Sequence, residues 1–220
     1  MMKACVIIPA YNESSQINRL VSEVKARGLE VLVVDDGSGD GTAENASRAG
    51  ATVLRNEVNA GKGACLRKGF GYCLERDFEA VITMDGDGQH LAEDLPRFIS
   101  AAADPGGDII IGNRMLETRE MPWIRVITNR FMSWLTSRLS GQSIPDSQCG
   151  YRLIRRRVLE KIELKTSKFE IETEILVKAA RAGFKIVSVP IKTVYRGEKS
   201  KINPFIDTFR FINFLIKGLR

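Results

Sequence analysis

Short apolar runs alternate with amphipathic stretches along most of this chain. Ala4 to Ile8 is continuously apolar, the pattern of a parallel strand covered on both faces. Pro9-Ala10-Tyr11-Asn12-Glu13 ends that run. Ser14 or Ser15 can then cap a helix reaching about Ala26, with Ile17, Leu20, Val21 and Val24 as its apolar stripe. Glu30 to Val34 predicts a second strand, which stops at Asp35-Asp36-Gly37-Ser38. Gly39-Asp40-Gly41-Thr42 turns into a helix over about Ala43 to Ala49, and Thr52-Val53-Leu54 is a third, short strand. Asn59-Ala60-Gly61-Lys62-Gly63 opens a helix to about Glu75, and Val81 begins a fourth strand.

The second half continues in the same style. A helix follows Asp94-Leu95-Pro96 to about Ala103, and a strand runs from Asp108 to Ile111. Trp123, Ile124, Ile127, Phe131, Trp134, Leu135 and Leu139 recur at helical spacing, with Arg125, Arg130 and Arg138 between them. Pro145 to Ile154 predicts a loop entering a strand, Phe169 to Ala182 a helix, Lys185 to Thr193 a strand, and Pro204 to Leu219 a final amphipathic helix. Glu170, Glu172 and Glu174 suit the positive end of their helix, with the alternative that one of them lines the acceptor pocket. The alternation argues an α/β fold with a doubly wound, mostly parallel sheet. No repeat or linker divides it, so residues 1–220 are expected to be one domain, with functional halves at 1–115 and 116–220.

In such a sheet, ligands bind at the C-terminal ends of the strands, and the acidic clusters all fall there. In Met84-Asp85-Gly86-Asp87-Gly88-Gln89-His90 two carboxylates separated by one glycine can share a face where the strand ends. Unscreened they would repel; Mg²⁺ commonly takes one or two carboxylates together with substrate phosphates. Taken alone, the stretch also reads as an ordinary Asp/Gly turn. Tyr11, Glu13 and Asp36 lie after two strands that would be neighbours, and an aromatic ring with two acceptors suits a nucleobase and ribose. Turn chemistry from Asn12, Ser38 and Thr42 is the plainer reading of those loops. Lys62, at a helix start, can meet a phosphate. A phosphate-loop ATPase is disfavoured because Gly61-Lys62-Gly63 lacks the rest of that pattern, and no Gly-x-Gly-x-x-Gly follows the first strand.

Composition narrows the partners. A formal charge of +6 suggests anionic ligands, but the basic residues are dispersed and no nucleic-acid motif is present. The four cysteines, Cys5, Cys65, Cys73 and Cys149, form neither a disulfide framework nor a zinc pattern. No apolar run reaches the roughly 20 residues a membrane span needs, and the first residues do not form a signal peptide. The expected setting is cytoplasmic. The apolar segments bordered by Arg and Lys suggest a peripheral position on the inner face of the membrane.

Five motifs occur in one order: Val33-Val34-Asp35-Asp36-Gly37-Ser38, Asn59-Ala60-Gly61-Lys62-Gly63, Asp85-Gly86-Asp87-Gly88-Gln89-His90, Ile111-Gly112-Asn113-Arg114, and Asp146 through Arg152. With them the chain resembles the family-two inverting glycosyltransferases of the GT-A fold, in particular the polyprenyl- and dolichyl-phosphate mannosyl- and glucosyltransferases. The resemblance implies a hexose moved from a GDP- or UDP-sugar to a lipid phosphate with Mg²⁺ or Mn²⁺. It assigns Pro9, Tyr11, Glu13, Val34 and Asp36 to base and ribose; Lys62, from its helix start, and Gly86, which lets a ligand approach the backbone, are expected beside the nucleotide. Asp85, Asp87 and Gln89 would hold the metal. Arg114, Arg125 and Arg196 match positions that receive an acceptor phosphate. Asp146 matches the aspartate that acts as base in members using hydroxyl acceptors, and with a phosphate acceptor it would instead orient the arginines or the sugar. The reacting centre would thus comprise Asp87, Asp146, Arg114, Arg125 and Arg196. Transfer to a saccharide or lipid hydroxyl, with Asp146 as base, is the alternative.

Overall fold

A computed structural model describes residues 2–103 and 107–192. Arg196 and the amphipathic segment over 204–219 lie outside the described residues. The strands are β1 (Ala4–Ala10), β2 (Glu30–Asp35), β3 (Thr52–Arg55), β4 (Ala80–Thr83), β5 (Ile109–Asn113), β6 (Arg152–Arg155) and β7 (Ile186–Pro190). They form one seven-stranded sheet in the order β3-β2-β1-β4-β6-β5-β7. Only β6 is antiparallel to its neighbours, β4 and β5. The other pairs are parallel, with Ile7 of β1 opposite Leu32 of β2 and Thr83 of β4. The helices are α1 (Ser14–Lys25), α2 (Thr42–Arg48), α3 (Lys62–Leu74), α4 (Leu95–Ala103), α5 (Trp123–Ser140), α6 (Arg156–Lys161) and α7 (Ile171–Arg181).

The reason for this arrangement is in the apolar pattern. Val6, Ile7 and Ile8 of β1 and Leu32, Val33 and Val34 of β2 are wholly buried, as central parallel strands with helices on both faces require. The α1 stripe of Ile17, Leu20, Val21 and Val24 is buried against them. From β1 the chain winds outward through β2 to β3, then returns to place β4 on the other side of β1. Winding therefore reverses between β1 and β4. The crevice at their C-terminal ends is the place where doubly wound sheets take ligands.

Four details depart from the sequence expectations. Pro9 does not end β1: it lies within the strand, opposite Val34, and the strand continues to Ala10. Neither Ser14 nor Ser15 caps α1, because the β2–α2 loop does so from outside. Thr42 Oγ1 accepts the Glu13 N–H at 2.9 Å and Asp40 accepts that of Ser14 at 3.1 Å. The short α6 and a 3₁₀ turn at Ala92–Asp94 were not anticipated. α5, in contrast, follows its predicted span: it packs through Met132, Ser133 and Thr136, while Trp123, Ile124, Ile127, Phe131 and Trp134 are each more than half exposed.

Candidate active site

The loops after β1 and β2 are stitched into one wall. Asn12, at a left-handed φ of 54°, donates its N–H to Ser38 Oγ, and its side-chain oxygen accepts the Gly39 N–H. Tyr11 stands 42% exposed at the rim. Val34 is buried in β2 beside Pro9, so it contributes to the wall from within the sheet. Asp36 is also buried, and both its oxygens accept bonds from the loop ahead of α3. Asn56 Nδ2 and the Ala60 N–H reach Oδ1 at 2.8 and 2.9 Å, and the Gly61 N–H reaches Oδ2 at 2.8 Å. Burial alone would raise its pKa; the hydrogen bonds from Ala60, Asn56 and Gly61 hold it below the usual range. Gly61 then takes φ 97°, a conformation suited to glycine, and places Lys62 at the first position of α3.

Beyond β4 the chain turns through Asp85-Gly86-Asp87-Gly88-Gln89-His90. Gly86 packs against β1, where a Cβ would lie 3.2 Å from the Pro9 carbonyl and 3.5 Å from Glu13 Cγ. The Asp85 N–H donates to His90 Nδ1 at 3.2 Å, and the Gln89 N–H donates to Asp87 Oδ1 at 3.0 Å. His90 is buried and stacks on Tyr151 with centroids 5.0 Å apart, which fixes the turn from below. The Lys62 ammonium lies 2.5 Å from both Asp85 Oδ1 and Glu172 Oε1. Burial works against the Asp85 charge, but Lys62 overrides it and holds the carboxyl at about 2. Asp87 behaves oppositely: burial first, then the Asp85 charge, push it up.

On the far side of the crevice, Arg114 grips Asp146 with a planar fork. Its Nε donates to Oδ2 at 2.7 Å and a terminal nitrogen donates to Oδ1 at 2.9 Å, while the Arg114 N–H adds a third bond to Oδ2 at 3.1 Å. Asp146 is fully buried. Arg152, almost fully buried, donates to the carbonyls of Cys149, Glu172 and Ser147. It thereby ties the loop before β6 to the first turn of α7. Arg125 is half-buried near the start of α5 and forms no ion pair with Asp146.

Asp85 and Asp87 are the pair that could take a cation. The donor set fits a divalent ion: two carboxylates at one strand end, one raising the other, and an ammonium already resting on Asp85. Among the described residues no group of three or more His, Cys, Asp or Glu forms a complete metal cage. A set of two suits an ion whose remaining ligands are phosphate and water.

Two residues gain a place that sequence alone did not give them. Glu172 reads in sequence as helix-dipole complementation, yet its carboxylate closes the Lys62 contact across 110 positions. Glu174, by contrast, binds the Thr166 N–H and hydroxyl and the Lys178 ammonium, a structural role. Gly150 is the floor of the cluster: a Cβ there would lie 2.8 Å from Asp85 Oδ2, 2.8 Å from Lys62 Nζ and 2.9 Å from Glu172 Oε1. Nothing in the local sequence marks these long-range contacts.

Comparison with known proteins agrees with this architecture. Residues 5–163 match the family described as Glycosyl transferase family 2. The polyprenol monophosphomannose synthase of Mycolicibacterium smegmatis is 34% identical over 203 residues, covering 86% of this chain and 76% of the relative. The undecaprenyl-phosphate mannosyltransferase of Micrococcus luteus is 33% identical over 210 residues, covering 89% and 85%. Among solved structures, glucosyl-3-phosphoglycerate synthase of Mycobacterium tuberculosis, crystallised with Mn²⁺, UDP and glucosyl-3-phosphoglycerate, superposes with a TM-score of 0.75. That match covers 99% of this chain and 78% of the other at 18% identity, and so speaks for the fold alone. With its winding reversal between β1 and β4 and its acidic turn at that crevice, this chain belongs to glycosyl transferase family 2, and is a hexosyltransferase with a GT-A fold.

Proposed function

We propose that this enzyme transfers a hexose, with inversion at the anomeric carbon, from a nucleoside-diphosphate sugar to a polyprenyl phosphate. Tyr11 stacks on the base, and Pro9, Glu13, Val34 and Asp36 form the wall that receives base and ribose. Asp85, Asp87 and Gln89 hold a Mg²⁺ or Mn²⁺ ion against the diphosphate, with Gly86 giving the backbone room to approach. The bound ion supplies Lewis-acid stabilisation of the leaving nucleoside diphosphate. Lys62 adds positive charge on the same side. Arg114, Arg125 and Arg196 receive the acceptor phosphate, and Asp146 fixes the direction of Arg114.

The Arg114–Asp146 pair is the observation that carries this reading. A phosphate oxygen is already ionised and needs no base; it needs to be oriented in line with the anomeric carbon. A general base must offer a lone pair to a hydroxyl proton. Asp146 instead is buried and has both oxygens engaged by Arg114. That geometry fits an orienter and counts against hydroxyl transfer. The named activities of the relatives from Mycolicibacterium smegmatis and Micrococcus luteus, both using polyprenyl-phosphate chemistry, support the same acceptor class.

A lipid acceptor also fits the exposed side of α5. Among the described residues no helix is long and apolar enough to cross a membrane. The α5 face of Trp123, Ile124, Ile127, Phe131 and Trp134 nevertheless suits insertion at the cytoplasmic face, with Arg125, Arg130 and Arg138 beside it for anionic headgroups. The donor is tested by thermal unfolding with UDP, GDP and their hexose conjugates, with and without Mn²⁺. One nucleotide should raise the melting temperature in a metal-dependent way, because a ligand of the native state stabilises it by mass action. Absence of a metal-dependent rise with any of them would contradict the reading.

A further inference from the structure

Lys62 is held at the centre of the site by residues from three distant parts of the chain. Its ammonium touches Asp85 Oδ1 from the β4 turn and Glu172 Oε1 from α7, each at 2.5 Å. Gly150, from the loop before β6, leaves the space in which the three groups meet. The side chains of Lys62 and Glu172 are only 14% and 10% exposed, whereas Asp85 retains 30%. Asp85 is therefore the member of the trio open to a ligand. One of its oxygens, Oδ1, already carries the Lys62 ammonium, beside the place a divalent ion shared with a diphosphate would take.

A divalent ion on either Asp85 oxygen would lie close to the ammonium, and the two like charges repel unless one yields. A lysine can yield: its ammonium sits on a flexible four-carbon stem. Glu172 gives it somewhere to remain, since the ammonium can leave Asp85 without losing its second carboxylate. Resting on the proposed metal–diphosphate site, we infer that Lys62 is a resident counter-cation which competes with the divalent ion for Asp85. Glu172 is the positioning residue that holds the ammonium when it gives way. A metal ion arriving alone meets the charge of the resident ammonium and so binds weakly. A nucleoside diphosphate attracts the ammonium with its own negative charge and frees Asp85. Metal and nucleotide consequently reinforce each other, by the same factor in either order of addition.

The test is Mn²⁺ binding to the purified protein, read by electron paramagnetic resonance of the free ion, alone and with the nucleoside diphosphate that stabilises the wild type. Lys62→Met should tighten Mn²⁺ binding in the absence of nucleotide by about tenfold or more. It should also reduce, at least severalfold, the factor by which nucleotide tightens Mn²⁺; such couplings are ordinarily about 5–150-fold. Glu172→Gln, which leaves the ammonium to Asp85 alone, should weaken nucleotide-free binding. Should Lys62→Met fail to fold with two carboxylates left facing each other, the charge-balanced pair Lys62→Met with Glu172→Gln replaces it, and should again bind Mn²⁺ more tightly than Glu172→Gln alone. Unchanged or weaker nucleotide-free Mn²⁺ binding, or an undiminished coupling factor, would overturn the inference while leaving the metal–diphosphate site standing. Failure of the wild type to bind Mn²⁺ even with nucleotide would overturn both.

Discussion

Asp36 receives three hydrogen bonds from the loop that leads into α3, and through that loop it sets the position of Lys62. Replacing it by Asn puts an amide nitrogen where a backbone N–H or Asn56 Nδ2 now donates, leaving a buried donor unpaired. The expected loss is about 1–3 kcal/mol at neutral pH. Because the hydrogen bonds hold the folded carboxyl below its unfolded value, the stabilisation is fully present above about pH 4 and is lost as pH falls through the folded value. Denaturant unfolding of both proteins should therefore show a gap that narrows below about pH 4. A gap that is constant from neutral to acid pH would contradict this role. Asp36 itself is legible in sequence, as an acceptor after a strand. Its partners are not. The fork of Arg114 on Asp146, which joins residues 32 positions apart, is foreshadowed by the family resemblance but not by spacing. Spacing along a chain reports neighbours on one element; contacts made by the folding of loops onto one another have no such signature.

At the scale of elements, periodicity carried most of the weight. The runs at β1, β2 and β4 and the stripe of α1 are where apolar spacing puts them, since burial on both faces or on one leaves a period that can be counted. The direction of β6 is a different matter: a short apolar run looks the same whichever way its neighbours point. α6 follows β6 directly and begins Arg156-Arg157, so its two buried residues, Val158 and Leu159, are too few to show a stripe. α5 has the predicted period, and its apolar face is turned outward. Phe131 and Trp134 stack on each other with centroids 6.1 Å apart, and Arg138 lies over Trp134, on a face the other described residues leave uncovered. Vesicle flotation at low salt should recover the wild type with anionic liposomes. The double variant Trp123→Glu, Trp134→Glu should not float, while its unfolding is unchanged because both side chains are exposed. No binding of the wild type, with or without anionic lipid, would remove the membrane reading.

For the molecule as a whole, the chain's winding does the assembling. Reversal at β1 and β4 brings the Tyr11–Glu13 loop beside the Asp85–Gln89 turn, and the antiparallel β6 delivers Gly150 and Asp146 to the same crevice. On the proposed assignment, the residues that would receive the donor come from the first half of the sequence, and the Arg114–Asp146 pair proposed for the acceptor spans both halves. The central claim is that the acceptor is a phosphate, held by an arginine whose carboxylate partner orients it. The direct measurement supplies the enzyme, Mn²⁺ and the nucleotide sugar that stabilises it with either a polyprenyl phosphate or the matching free polyprenol, and follows labelled sugar into lipid. A glycosyl-phosphate lipid is expected from the first and no product from the second. Transfer to the alcohol at a comparable rate would contradict that claim and return Asp146 to the role of base.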